Sequence, residues 1–379
     1  MGAQAAAEIR AGGRFGRLPA GADLPRAGTL RLGPLPPGFR LPAVALSHAA
    51  SGLGPSCFDI DRGEWHRVLA TPQAGPLTVT VREATTRTVP APTALGSTAL
   101  GPTVPDSTAP DPTAPAIRGG PRGGAPGDAL PGGVGPHLVV SWGRTAGGDA
   151  DREAIYRQVR HSLALDDDLA DLYAALAGEP DLAWIAAGGH GRLLRSPSIW
   201  EDLVRALAAT NAALARTRSM LAALVELFGG RGPAGERAFP DAAAVARGVA
   251  ERGPEILRDR AGWGYRAGSL AILAQRIDAG TLDVERWWDR GPRGPRDDEV
   301  AAEIRALSGF GPFSADGLLG LLGRPRGLAL DAWAKARVGE LVGLPGPAGE
   351  REIRARYARF GRWAGTVCWL EITRGWAER

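Results

Sequence analysis

Asp331 opens a helical pattern, Leu330-Asp331-Ala332-Trp333-Ala334-Lys335, twenty residues after the second glycine of a Gly-x-Gly turn. That turn lies in Leu307-Ser308-Gly309-Phe310-Gly311-Pro312-Phe313-Ser314-Ala315, between two helical stretches. Two glycines let the chain turn sharply with its amides left free, just before a helix whose N-terminus carries partial positive charge. Gly309, Phe310, Gly311, Phe313 and Ser314 can thus form an anion site from main chain alone, suited to a phosphate. Taken by itself the segment fits a plain helix-turn-helix corner equally well. Aspartate is a good helix N-cap, and capping also fixes a carboxylate in place, where it can stabilise positive charge developing on a substrate.

The elements that must hold these residues follow from pattern. From about 38 to 84, short apolar runs at Leu41–Leu46, Cys57–Ile60, Trp65–Ala70 and Leu77–Val81 are punctuated by Gly and Pro, and the alternation in Leu77–Val81 predicts strands. Leu138–Trp142 reads as one more strand of the same unit. Residues 86–134, rich in Thr, Pro, Gly and Ala, cannot bury a core and are expected to be a disordered insertion within that domain. Residues 1–35 read as a flexible leader. After 150 the pattern is helical: Asp151 and Asp166 are expected N-caps of helices 152–164 and 167–177, and one long helix is expected from Ser198 to about Phe228, ending at Gly229-Gly230. Further helices are expected at 240–251, 265–278, 282–289, 297–306, 312–323, 331–342, 350–360 and 362–377. The fold class is therefore α+β: a β-rich domain over 36–145, interrupted at 86–134, and a mostly α-helical body over 150–379.

Composition sets outer bounds. The net charge of +4 is a mild push toward polyanions. Of 45 basic residues only Lys335 is a lysine, a bias that genome composition explains, although it does not explain why that lysine sits one turn after Asp331. With only Cys57 and Cys368, the chain has no C-x-x-C pair, so neither a zinc knuckle nor a four-cysteine iron–sulfur cluster can be built. No apolar run is long enough to span a bilayer. Two thiols in a chain this size fit a reducing cytoplasm.

The hairpin followed by Asp331 resembles the helix-hairpin-helix (HhH-GPD) superfamily of DNA glycosylases, whose essential aspartate opens the helix after the hairpin unit. The likeness extends further. Gly191-Arg192-Leu193-Leu194-Arg195-Ser196-Pro197 and the helix after it look like the region of 8-oxoguanine DNA glycosylases that enters the helical body. Asn211 and Arg216 fall where that family fills the gap and reads the base opposite the lesion, and Gly264-Tyr265-Arg266-Ala267 matches its stretch with a wedging tyrosine. The closing segment from Arg359 to Trp376 resembles the last helix, which walls the base pocket, and the β-rich unit resembles the N-terminal domain shared with bacterial 3-methyladenine glycosylases. The resemblance implies a cytoplasmic, nucleoid-associated monomer with duplex DNA containing a damaged base as partner, base flipping, and Asp331 as the catalytic carboxylate that stabilises an oxocarbenium ion and orients water.

Two departures shape the expected activity. Bifunctional members carry a lysine nucleophile two residues past the second hairpin glycine; here that residue is Phe313, so no Schiff base can form there. Hydrolysis leaving an abasic site is the expected reaction, with Lys335 a phosphate contact or electrostatic partner of Asp331. The glutamine and phenylalanine that 8-oxoguanine glycosylases set against the base align with Cys368 and Ile372, which removes the guanine-edge hydrogen bonds. Phe313, Trp333, Trp363 and Trp369 are aromatic candidates to stack on an electron-poor alkylated purine, or are plain core residues. Alkylated purine is the expected substrate and 8-oxoguanine the alternative; a non-catalytic DNA-binding or damage-sensing protein and a lyase using Lys335 are the rival readings. No metal chemistry or cofactor is expected, although a monovalent cation could bridge hairpin carbonyls and a phosphate.

Overall fold

The computed structural model describes residues 28–48, 53–84, 135–143 and 148–377. The insertion expected at 86–134 and most of the expected leader lie outside the described residues.

Alternating side chains build the sheet. In β4 (Gly75–Ala84), Leu77, Val79 and Val81 are buried while Thr78 and Thr80 are half-buried, the two-residue period of a strand with one covered face. With β1 (Gly28–Leu32), β2 (Ser56–Asp59), β3 (Glu64–Thr71) and β5 (His137–Trp142), it forms an antiparallel sheet in the order β1-β5-β4-β3-β2. Val81 faces Val140 across β4 and β5, so the chain beyond residue 135 re-enters the sheet it left at Ala84. Two expectations fail here. Gly28–Leu32, assigned to the leader, is a strand paired to β5. Leu41–Leu46, grouped with the strand-like runs, instead contains helix α1 (Leu41–Ala45), for which Pro42 in the first turn supplies the helical φ.

The sheet packs on α1 and on α2 (Asp149–Ser162) through Trp65, Leu69, Val79, Leu138, Ile155 and Val159. Asp151 is not the N-cap of α2. It lies inside the first turn, buried, and accepts the N–H groups of Gln73 (2.8 Å) and Ala74, fastening the β3–β4 turn. Nor does Asp166 cap the next helix, α3 (Ala170–Leu176), which begins later; it pairs with Arg160.

The helical body has two cores. One gathers α5 (Ile199–Ala209), α6 (Leu214–Phe228), α7 (Ala242–Arg252), α8 (Ala267–Asp278), α9 (Asp297–Ala306) and α10 (Pro312–Leu321). The other gathers α3, α4 (Ala183–Ala187), α11 (Ala332–Leu341), α12 (Glu350–Tyr357) and α13 (Ala364–Ile372); the short α14 (Arg374–Ala377) follows. The expected long helix from Ser198 is two helices. Ser198 does cap α5, accepting the Glu201 N–H, but the chain breaks at Thr210–Ala213, where Asn211 sits at φ +47°. Asparagine tolerates the left-handed region better than most residues, and its side chain offers the turn a local partner.

Candidate active site and nucleic-acid interface

The hairpin lies between α9 and α10. Gly309 has φ +89°, a left-handed value that favours glycine, and a Cβ there would stand 2.6 Å from Leu207 Cδ1 of α5. Gly311 is extended and caps α10, which starts on Pro312. Phe310 is buried and donates its N–H to Leu307 O (3.2 Å), anchoring the turn. The N–H groups of Gly309, Gly311, Phe313 and Ser314 have no acceptor among the described residues. Gly309 is exposed and Gly311 half-buried, so the turn presents donors for an anion at the positive end of a ten-residue helix. Ser308 Oγ meets Ser269 Oγ of α8 at 2.8 Å and ties the hairpin to that helix.

The loop to Asp331 carries the chain from one helical core to the other. It is seated on α10: a Cβ on Gly327 would approach Asp316 Oδ1 to 2.6 Å, and one on Gly317 would lie 3.9 Å from Ala329 Cβ. Phe313 and Gly317, four residues apart, share one face of α10, so Phe313 stands one turn nearer the hairpin and is 50% exposed. Asp331 is half-buried and caps α11: Oδ1 accepts the Ala334 N–H at 2.7 Å, and Oδ2 has no partner among the described residues. The cap leaves one carboxylate oxygen fixed and available.

Lys335 donates its N–H to Asp331 O (3.0 Å), but its ammonium pairs at 3.5 Å with Glu350 of α12, not with the Asp331 carboxylate. Glu350 in turn is held by Arg354.

The base-pocket candidates divide. Trp333 and Trp369 are half-buried and meet edge to face, with ring centroids 6.4 Å apart. Trp369 Nε1 donates to Ser47 O at 2.9 Å. That carbonyl is well fixed, because Ser47 Oγ accepts the Leu194 N–H (2.9 Å) and His48 Nε2 lies 2.7 Å from Leu194 O. Trp363, Cys368 and Ile372 instead belong to the core. Burial pushes the Cys368 thiol up to about 12, so it stays neutral.

The wedge candidates converge. Tyr265 is 74% exposed, and Asn211 and Arg216 are exposed too. Arg216 donates to Gly262 O, and Arg266 donates to Thr210 O. Trp263, buried, sends its Nε1 to Met220 O (3.3 Å), pinning the tyrosine's turn to α6. Sequence reasoning did not single out Ser308 or Arg266, although one adjoins the hairpin glycine and the other the tyrosine.

No family model matches the chain, and no curated protein does. Solved structures do. MBOgg1 in complex with a low-affinity DNA ligand superposes with a TM-score of 0.59 at 16% identity, over 94% of this chain and 98% of that one. The chain shares the fold of solved DNA glycosylases. The 3-methyladenine DNA glycosylase from Archaeoglobus fulgidus gives a TM-score of 0.56 at 16% identity, covering 92% of this chain and 98% of that chain. Clostridium acetobutylicum 8-oxoguanine glycosylase/lyase, bound to double-stranded DNA with cytosine opposite 8-oxoguanine, gives 0.56 at 16% identity, covering 89% and 92%. Coverage near the full length of both partners means that the glycosylase fold here includes the small sheet as well as the helical body. Among the described residues no helix is long and apolar enough to cross a membrane.

Proposed function

We propose that this protein is a base-excision-repair DNA glycosylase that hydrolyses the N-glycosidic bond of a flipped damaged purine in duplex DNA. One observation carries the reading: Asp331 is fixed through Oδ1 while Oδ2 stays unpaired among the described residues, one helix and a loop after a hairpin in which the Gly309, Gly311, Phe313 and Ser314 amides lack acceptors there. The hairpin main chain and Ser308 hold a backbone phosphate; Tyr265, Asn211 and Arg216 occupy the gap left by the base. As the bond to the leaving base lengthens, positive charge grows on the sugar, and the ionised Asp331 stabilises it and orients the attacking water. An electrostatic contribution of this kind is worth about 3–4 kcal/mol.

Phe313 at the position of the lyase lysine supports simple hydrolysis that leaves an abasic site. Its exposed ring and the half-buried, edge-to-face pair Trp333 and Trp369 favour an alkylated purine, whose positive charge an aromatic face attracts. The protein acts on DNA as a monomer and uses no metal in the chemistry. The deciding experiment compares wild type with Asp331→Asn on duplexes carrying 3-methyladenine, 7-methylguanine, hypoxanthine or 8-oxoguanine, scoring alkali-labile abasic sites. Turnover by wild type that persists in Asp331→Asn removes the carboxylate from its role. Tight duplex binding with release of none of the four bases identifies a damage-binding protein instead.

A further inference from the structure

Two arginine clamps link the wedge turns reciprocally. The carbonyl of Thr210, at the end of α5, accepts from Arg266, and the carbonyl of Gly262, four residues before Arg266, accepts from Arg216 at the start of α6. The two arginines differ in burial. Arg216 is exposed, whereas Arg266 is 7% exposed and sends both Nε (3.1 Å) and Nη2 to the one oxygen. Its guanidinium also lies 4.4 Å from the centroid of the Tyr265 ring. One planar cation thus touches both wedge elements. It neutralises a carbonyl at the negative end of a helix, one residue before Asn211 at φ +47°, and it supports the exposed Tyr265 ring.

We propose that Arg266 is a positioning residue that sets Tyr265 and Asn211 as one rigid wedge, while contact with the opposite base falls to the exposed Arg216. The inference rests on the glycosylase reading above. A free tyrosine ring would lose rotamer entropy on entering the base stack, and a ring already seated on a buried guanidinium has lost it beforehand. Lysine cannot replace the arginine, because a point-like ammonium cannot send two N–H groups to one carbonyl while offering a flat face to the ring.

The test uses the full chain and duplexes with 2-aminopurine at the flipped position, read by fluorescence on binding, together with single-turnover excision. Arg266→Lys is expected to lower both extrusion and the excision rate about 10-fold, equivalent to about 1.4 kcal/mol, with KM changed less than about 2-fold. In a Tyr265→Ala background the same substitution should cause no further loss, which a generally weakened fold would not reproduce. Arg266→Gln, which keeps a donor near Thr210 without burying a charge, serves if the lysine variant unfolds. Full extrusion by either folded Arg266 variant, or losses that simply add to those of Tyr265→Ala, overturns the positioning role alone. Unimpaired extrusion by Tyr265→Ala overturns the wedge itself, and this inference with it.

Discussion

Asp331 and Ala334 share a hydrogen bond in which the carboxylate accepts the main-chain N–H at 2.7 Å. Asparagine caps helices as well as aspartate does, whereas alanine costs about 1 kcal/mol. Asp331→Asn should therefore keep wild-type stability and lose about 10²–10³-fold in excision, a typical cost for one transition-state electrostatic contact. Asp331→Ala should lose the same activity and also about 1 kcal/mol of stability. Denaturant melts beside abasic-site assays separate the two effects; equal activity of Asp331→Asn and wild type would end the catalytic assignment.

Phe313 is half-exposed at the head of α10, so a polar residue there costs little. Borohydride should trap no covalent complex between wild type and abasic DNA, because no amine is placed for Schiff-base formation at this position. Phe313→Lys should become trappable. Trapping of wild type that vanishes in Lys335→Ala would instead assign a lyase step to Lys335.

Gly309 and Gly311 should respond differently to alanine. At Gly309 a side chain must take φ +89° and press on Leu207, a backbone cost of about 1–2 kcal/mol before the clash. At Gly311 the backbone is extended and a Cβ meets nothing within 4 Å. Gly309→Ala is expected to lower both melting temperature and duplex affinity, while Gly311→Ala melts like wild type. Undiminished duplex binding by Gly309→Ala would mean that the turn does not hold DNA.

How much of this was legible in the sequence depends on the range of the interactions. The alternation of Leu77–Val81, the Ser198 cap and the hairpin glycines are local signals, and each appears as expected. Leu41–Leu46 is uniformly apolar, so no period separates strand from helix, and only the proline hinted at the outcome. The break at Thr210–Ala213 was hidden because part of its support is distant: Arg266, 56 residues on, holds the Thr210 carbonyl that a continuous helix would use. The final helix shows the same limit. Cys368 and Ile372, which align with base-contacting positions, are buried by tertiary packing, and Trp369 lies beside Trp333, neither of which local pattern reveals. The motif was readable, whereas which face of that helix is covered depends on tertiary packing within the second helical core.

A buried ion network fastens the sheet to the helical body. Glu201 of α5 takes Arg67 from β3 and Arg205 from its own helix, all three at most 6% exposed, and Arg205 also donates to Leu53 O and Gly54 O. The two guanidinium groups hold the Glu201 carboxyl below its ordinary range despite burial. Glu201→Gln leaves two buried cations without their anion and should cost about 3–5 kcal/mol. Urea denaturation checks the figure; a loss below about 1 kcal/mol would show that water reaches the site.

Acid should weaken the fold through two histidines. His48, beside Leu194 O, and His161, edge-on to Trp288 at 4.2 Å, are both lowered to about 4, chiefly by burial. Between pH 6.5 and 4 the unfolded chain binds protons that the folded histidines refuse, so their stabilising contribution is present above 6.5 and drains away as pH falls. Asp202 opposes them. Burial raises it to about 6, so its contribution is present at low pH and lost as pH rises through 6. Among these three groups the two histidines outweigh the aspartate, and their combined contribution should fall by a few kcal/mol from pH 7 to 4, since each tenfold difference in proton affinity between folded and unfolded chain is worth about 1.4 kcal/mol. His161 Nε2 has no partner among the described residues, so His161→Phe should fold and flatten the acid limb, whereas Asp202→Asn should steepen it. Stability measured at about pH 7 and pH 4.5 decides, and a wild-type value that holds or rises on acidification contradicts the histidine account.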